Sequence, residues 1–302
     1  MAQNQKHYGN LLIKKNNYDI INCQNCGFIH CFPIPQRKEL HDLYSQHYYS
    51  TEKPDYIKKM QSDLNWLNMV YDDKYEKFEK IIGKYEKTIL DIGSGPGYFL
   101  KKGMDRGWHT LGLEPSLQAC NYSRKELGLN VLNIFLNNET KDEIDKFSVI
   151  HLNEVLEHVS DPINLTKIVY EKLNRGGIVS ITVPNDFNPI QKILQTSLNY
   201  ESWWVAPPHH INYFNIKSLS KLIKNAGFKI LDKMPTFPID IFLLMGENYV
   251  KHDELGGKYH SLRKKFELNL SAPENKDFKV KLYKKLLELD LGREISIIAK
   301  KM

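Results

Sequence analysis

The stretch Thr88-Ile89-Leu90-Asp91-Ile92-Gly93-Ser94-Gly95-Pro96-Gly97-Tyr98-Phe99-Leu100 reads as a short strand, a glycine loop and the opening of a helix that continues through Gly103 and Met104. Its first residues are apolar and partly β-branched, as in strands buried on both faces of a parallel sheet. Glycines after such a strand let the backbone turn sharply and let a ligand lie against bare main chain. The spacing is G-x-G-x-G. A dinucleotide fingerprint needs its third glycine where Tyr98 stands, so an NAD enzyme is disfavoured. A phosphate-cradling loop ending in G-K-[ST] is absent as well.

Similar apolar runs surround this one: TLGLE (110–114), VLNI (131–134), FSVIHL (147–152) and GIVSITV (177–183). Helical patterns lie between most of them. One starts at Asp161-Pro162, a cap followed by a residue suited to the first helical position. Another carries Leu219, Leu222, Ile223 and Ala226 on one face and stops at Gly227. Strands alternating with helices predict βαβ units and a doubly wound, mostly parallel α/β sheet. Glu114 closes the second strand, followed by Pro115. An acid about 20 residues past such a loop can accept both ribose hydroxyls of an adenosine.

On ILDIGSGPGYFL, LGLEPS, FSVIHLNEVLEHVSDP, LNRGGIVSITVPN and PPHHINYFNIKSLSKLIKNAGF, residues 85–235 resemble the small-molecule branch of the class I methyltransferases that use S-adenosylmethionine (SAM), a group including ubiquinone-pathway and sugar methyltransferases. The resemblance implies a Rossmann-like seven-stranded sheet whose last strand, near 294–300, runs antiparallel. It implies SAM as cofactor, held over Asp91, Gly93, Ser94, Gly95, Gly97, Tyr98 and Phe99. Glu114 and Pro115 would lie at the ribose, and Asn153 and Glu154 would border the methionine end. The expected organisation is a leader (1–53), a helical lid segment (54–86), the SAM-binding core (87–235), a helical insert serving as substrate cap or homodimer contact (236–292) and a final strand (293–302).

Ligands of open α/β sheets bind beyond the carboxyl ends of the strands. Those ends carry Asn153-Glu154-Val155-Leu156-Glu157-His158 and, after the fifth strand, Pro207-Pro208-His209-His210. SAM is already activated, so the protein aligns the nucleophile and excludes water. A hydroxyl nucleophile must also lose its proton, and a histidine titrating near neutrality suits that task. His158 ranks first, then His210, with His209 beside it. An anchoring role for His158 is the alternative. A second arrangement groups Glu154, Glu157, His158 and His210 around a divalent ion, with Glu154 and His158 at i and i+4. The metal-free reading is preferred, because Glu-His at this place also occurs in resembling enzymes without metal.

The leader contains one zinc-knuckle half, Cys23-Gln24-Asn25-Cys26-Gly27. It resembles the second half of the zinc-ribbon leader of some bacterial sugar methyltransferases. A structural site usually needs two such pairs. Cys31, His30 or His41 could substitute at unorthodox spacing, and a metal-free leader is the expectation. Tyr44, Tyr48 and Tyr49 could close over SAM, where phenol rings suit a sulfonium, or could pack the leader onto the core. In the insert, Tyr259, His260 and Arg263 could read a phosphate or carboxylate, and a solvated helix face is the expectation.

The 302 residues carry 42 Lys+Arg against 36 Asp+Glu, a net charge of +6 with no basic block. Nucleic-acid binding is therefore not expected, and neither is membrane insertion, since no run is apolar enough to span. The start MAQNQKHYGN lacks an apolar signal core, so a cytoplasmic location with reduced cysteines is expected. The function expected is methyl transfer from SAM to an oxygen of a small polar acceptor. A sugar or capsule (surface-polysaccharide) precursor, nucleotide- or phosphate-linked, comes first. Transfer to nitrogen or to a phosphoryl-type oxygen is the rival within enzymes, and a non-catalytic SAM-fold scaffold is the rival outside them.

Overall fold

A computed structural model describes residues 7–45 and 53–302. The chain opens with β1 (Gly9–Lys15), β2 (Tyr18–Cys23) and β3 (Ile29–Phe32), followed by helices α1 (Arg37–Asp42), α2 (Tyr56–Ser62) and α3 (Leu64–Ile82). The alternating part follows: β4 (Thr88–Ile92), α4 (Tyr98–Asp105), β5 (His109–Leu113), α5 (Leu117–Leu127), β6 (Val131–Leu132), β7 (Phe147–Asn153), α6 (Pro162–Lys172) and β8 (Leu173–Pro184). Then come α7 (Pro189–Leu198), β9 (Asn212–Tyr213), α8 (Ile216–Asn225), β10 (Phe228–Pro235), α9 (Ile241–Leu244), α10 (Asp253–Asn269), α11 (Lys276–Glu288) and β11 (Glu294–Lys301).

The large sheet has seven strands in the order β10-β11-β8-β7-β4-β5-β6. β4 runs parallel to both β5 and β7, and β5 parallel to β6. The end of β8 meets the start of β11 through Asn185 N→Arg293 O at 2.9 Å, and the end of β10 meets it through Thr236 N→Glu294 O at 2.9 Å. β11 therefore runs against both neighbours, as the resemblance implies. The fold is a mostly parallel, Rossmann-like α/β fold with a helical insert. The expected caps are in place. The Asp161 side chain accepts from Asn164 N at 2.9 Å, and α8 ends before Gly227, at φ 97°.

The leader strands were not anticipated. β1, β2 and β3 form an antiparallel sheet completed by β9. The turn between β1 and β2 holds Asn16 and Asn17 at φ 49° and 62°, the left-handed pair a tight hairpin demands and asparagine tolerates.

The chain divides into two compact units: Met1–Ile34, Thr182–Lys221 and Asp232–Ser296 in one, Pro35–Ile181, Leu222–Leu231 and Ile297–Met302 in the other. In the second unit, α3 lays Tyr71, Tyr75, Phe78 and Ile82 into a cluster with Phe99, Leu100 and Trp108. α3 and α4 approach so closely that a Cβ on Gly103 would stand 2.2 Å from the Tyr75 hydroxyl. In the first unit, Ile190, Leu194 and Leu243 form a smaller cluster flanked by Tyr200, Trp203 and Tyr249. No described helix is long and apolar enough to cross a membrane.

Candidate active site

The glycine loop lies in the second unit and is held by the acid at the end of β5. Glu114 Oε2 accepts from Gly95 N at 2.7 Å, and Oε1 accepts from Ser116 N at 2.8 Å. Both Gly93 N (2.8 Å) and Ser94 N (3.2 Å) donate to Leu113 O. Gly93 and Gly97 have φ of 72° and 87°, where side chains are strained. A Cβ at Gly93 would meet Val155 Cγ2 at 2.8 Å, and one at Gly97 would meet Leu129 Cδ1 at 2.6 Å. The loop is thus a bare-backbone cradle of the kind an adenosine cofactor needs. Glu114 is buried, and burial pushes its pKa up to about 7 against the pull of the Ser116 and Gly95 amides, with the charge of Asp91 adding to the rise. Each carboxylate oxygen retains a lone pair for a further donor. Pro115 O accepts from Asn133 Nδ2 at 2.8 Å, which ties the residue after the acid to the segment following β6.

A relay that the sequence did not announce, buried at Asp91 and His151, runs beside this loop. Asp91 Oδ1 lies 2.7 Å from His151 Nδ1, and Lys74 Nζ lies 3.1 Å from His151 Nε2 and 3.2 Å from Asn153 Oδ1. Burial, followed by the charge of Lys74, lowers the His151 pKa despite Asp91. The neutral ring then donates Nδ1–H to Asp91 and accepts from the lysine ammonium at Nε2. Phe99 stacks on His151 at 4.0 Å between ring centroids and on Tyr75 at 4.8 Å. Tyr98 is buried too, its hydroxyl 2.6 Å from that of Tyr122. The available signal was a histidine inside a buried, largely apolar strand, since buried polar groups need partners. Nothing in the sequence marks Lys74.

Asn153, the last residue of β7, and Glu154 after it are exposed, and Glu154 sits at φ 54°. That left-handed residue ends the strand, and 154–158 is a turn closed by His158 N→Val155 O at 3.0 Å. The helical i, i+4 relation of Glu154 and His158 is therefore not formed. His158 Nδ1 is 2.7 Å from the Tyr44 hydroxyl, with the rings edge-to-face at 5.2 Å. Its Nε2 is 3.8 Å from Oε1 of the buried Glu157. Tyr44 thus reaches the first-ranked histidine, whereas Tyr48 and Tyr49 lie outside the described residues.

His209 and His210 belong to the first unit, in the loop before β9, and both are half-buried. His210 N donates to Ala206 O at 2.9 Å, and Tyr213 OH donates to His210 O at 2.7 Å. In the same unit Asp186 follows β8 and is fully enclosed. Burial pushes its pKa up to about 7 against the pull of Arg293. Arg293 Nη1 stands 3.9 Å from Asp240 Oδ2. Tyr259 and Arg263 are buried rather than solvated as expected, with Arg263 Nε 3.8 Å from Glu267 Oε1. Among the described residues, the acids and histidine of 154–158 are not a converging ligand set. Such a set occurs at His7, Cys23, Cys26 and His30.

A glycine cradle pinned by a strand-end acid is a site whose residues fit the adenosine end of SAM. Residues 62–233 match the family described as "Methyltransferase domain", and the chain belongs to that family. It is similar to a ubiquinone biosynthesis O-methyltransferase of Actinobacillus pleuropneumoniae serotype 7, at 28% identity over 35% of this chain and 50% of that one. It is also similar to a tRNA U34 carboxymethyltransferase of Campylobacter fetus, at 26% identity over 56% of this chain and 60% of that one. The chain spans about half the length of the curated relatives it matches. Among solved structures, a SAM-dependent methyltransferase from Archaeoglobus fulgidus aligns with a TM-score of 0.47 at 17% identity, covering 77% of this chain and 93% of that one.

Proposed function

We propose that this protein transfers the SAM methyl group to a hydroxyl oxygen of a small polar acceptor, with a sugar or surface-polysaccharide precursor as the first choice. The observation that carries methyl transfer is the Glu114 carboxylate fastened to the Gly95 amide at 2.7 Å, which shapes bare backbone into a cofactor cradle. Oxygen as the methylated atom draws support from a histidine whose Nδ1 is held by the Tyr44 hydroxyl and whose Nε2 stands 3.8 Å from the Glu157 carboxylate, and from the O-methyltransferase names of several relatives. The sugar acceptor rests on the resemblance of the leader.

SAM, when bound, supplies a methyl group on a positively charged sulfur. Gly93 to Gly97 carry the cofactor on main chain, and Glu114 accepts from its ribose. In the proposed tautomer, His158 Nδ1–H donates to the Tyr44 oxygen and leaves Nε2 with the lone pair. Nε2 would take the proton of the acceptor hydroxyl, whose oxygen would receive the methyl group that SAM supplies. The buried Glu157 stabilises the imidazolium so formed. His210 is the second candidate for this proton.

The test incubates the protein with SAM and panels of nucleotide sugars and capsule intermediates, and seeks by mass spectrometry a product one CH₂ heavier. His158→Ala should lower kcat by about 10²–10⁴-fold. Full activity in both His158→Ala and His210→Ala would point instead to an acceptor that is already anionic, such as a phosphoryl oxygen. No product with any acceptor, together with no SAM binding by calorimetry, would leave the scaffold reading in its place.

A further inference from the structure

The leader holds four side chains that the methyl-transfer chemistry does not use. His7, Cys23, Cys26 and His30 each present one ligand atom, and these atoms lie within 4.8 Å of one another. His7 Nδ1 is 3.2 Å from His30 Nε2, 3.4 Å from Cys26 Sγ and 3.9 Å from Cys23 Sγ. Zinc held tetrahedrally at about 2.0–2.1 Å from nitrogen and about 2.3 Å from sulfur sets its ligand atoms about 3.3–3.8 Å apart. The three separations fall close to that range. No disulfide removes the thiols.

The surroundings prepare the same four atoms. The Cys23–Gly27 turn is closed by Gly27 N→Cys23 O at 2.9 Å and Cys23 N→Phe28 O at 3.2 Å. Within it the Cys26 amide points at Cys23 Sγ, 3.5 Å away, as amides do that stabilise a thiolate. His30 Nδ1 lies 2.8 Å from Cys31 O and donates its proton there, which fixes Nε2 as the lone-pair nitrogen facing the cluster.

We propose that His7, Cys23, Cys26 and His30 form a structural zinc(II) site. Two thiolates balance the charge of the ion, and four protein ligands leave no open position for catalysis. The expectation of a metal-free leader rested on a missing second cysteine pair; His7 and His30 supply the two further ligands. The ion fastens the segment before β1 to the β2–β3 hairpin. β3 in turn holds the chain just after His209 and His210: Cys31 N donates to Ile211 O at 2.9 Å, and His30 pairs with Asn212. The metal therefore braces the strand that carries the histidine loop.

The test uses the full chain purified under reducing conditions. Elemental analysis should find close to one zinc per chain. After chelation, cobalt(II) should titrate to one equivalent with the d–d bands of a tetrahedral site and a thiolate charge-transfer band. Cys26→Ser, which leaves Cys23 as the one thiolate, should lose roughly half of that charge-transfer intensity, and His30→Ala should bind cobalt at least about tenfold more weakly. His41→Ala, at a histidine outside the set, should bind as the parent does. The proposal fails if the unmodified protein neither retains zinc nor binds cobalt stoichiometrically. It fails equally if His7→Ala and His30→Ala both bind as tightly as the parent.

Discussion

The glycine cradle in the second unit and the histidine–cysteine cluster in the first are built on opposite principles. The cradle presents main chain: Gly93 and Gly97 contribute by having no side chain, and Glu114 acts by holding an amide in place. The cluster presents side chains, brought together by a hairpin and a segment sixteen or more residues away in sequence. A backbone site leaves a compact motif, because only glycine fits the required φ and clearance. A side-chain site can be completed by any residue of suitable chemistry, so its last members need not stand in a recognisable string.

Changes confined to one region should therefore leave the other intact. The largest effect is expected from Gly97→Val, which places a Cβ 2.6 Å from Leu129 Cδ1 at φ 87°. Strain and overpacking together should cost about 2–4 kcal/mol in urea unfolding. SAM binding should be lost while cobalt binding at the leader persists. Loss of both would mean that the two regions are not separable in this way.

Glu114→Ala comes next. It removes a charged acceptor from two amides and from the proposed ribose contact, and hydrogen bonds to charged groups are worth about 1.5–3 kcal/mol. Calorimetry should show SAM affinity lower by about 10- to 100-fold. Unchanged affinity would remove the acid from the cofactor site and leave it as a loop clamp only.

The pH dependence follows from the two buried acids, one in each unit. Glu114 and Asp186 both have pKa values raised to about 7. The folded state keeps protons that the unfolded chain releases at lower pH, so these groups favour folding less as pH rises through the window from about 4 to 7. The unfolding free energy should fall with pH across that window, and less steeply in Glu114→Gln and Asp186→Asn. SAM affinity should move the other way, rising several-fold as pH passes about 7, because ionised Glu114 is the stronger acceptor. A flat affinity profile would contradict the ribose contact.

The smallest effect is expected from Tyr44→Phe. It deletes the hydroxyl 2.7 Å from His158 Nδ1 and leaves the ring in place. A single hydrogen bond worth about 0.5–1.5 kcal/mol implies a fall in kcat of roughly 2- to 10-fold. The acid limb of the pH–rate profile should move as the histidine loses its orienting partner. An unaltered rate and profile would reduce His158 to an anchor.

The sequence alone determined the alternating core. Strands Thr88–Ile92 and Phe147–Asn153 are short apolar runs, Asp161 and Gly227 mark helix ends, and the 93–97 loop is spelled out by its glycines. Those features depend on local backbone preference and on burial of adjacent residues, which neighbours in the chain specify. Only the tertiary structure decided that Lys74 meets His151, that Tyr44 meets His158, that Glu154 ends the strand at φ 54° and that His7 faces Cys26. Each of those pairings is a side-chain encounter or backbone conformation fixed by packing, and no periodicity or spacing in the chain encodes it.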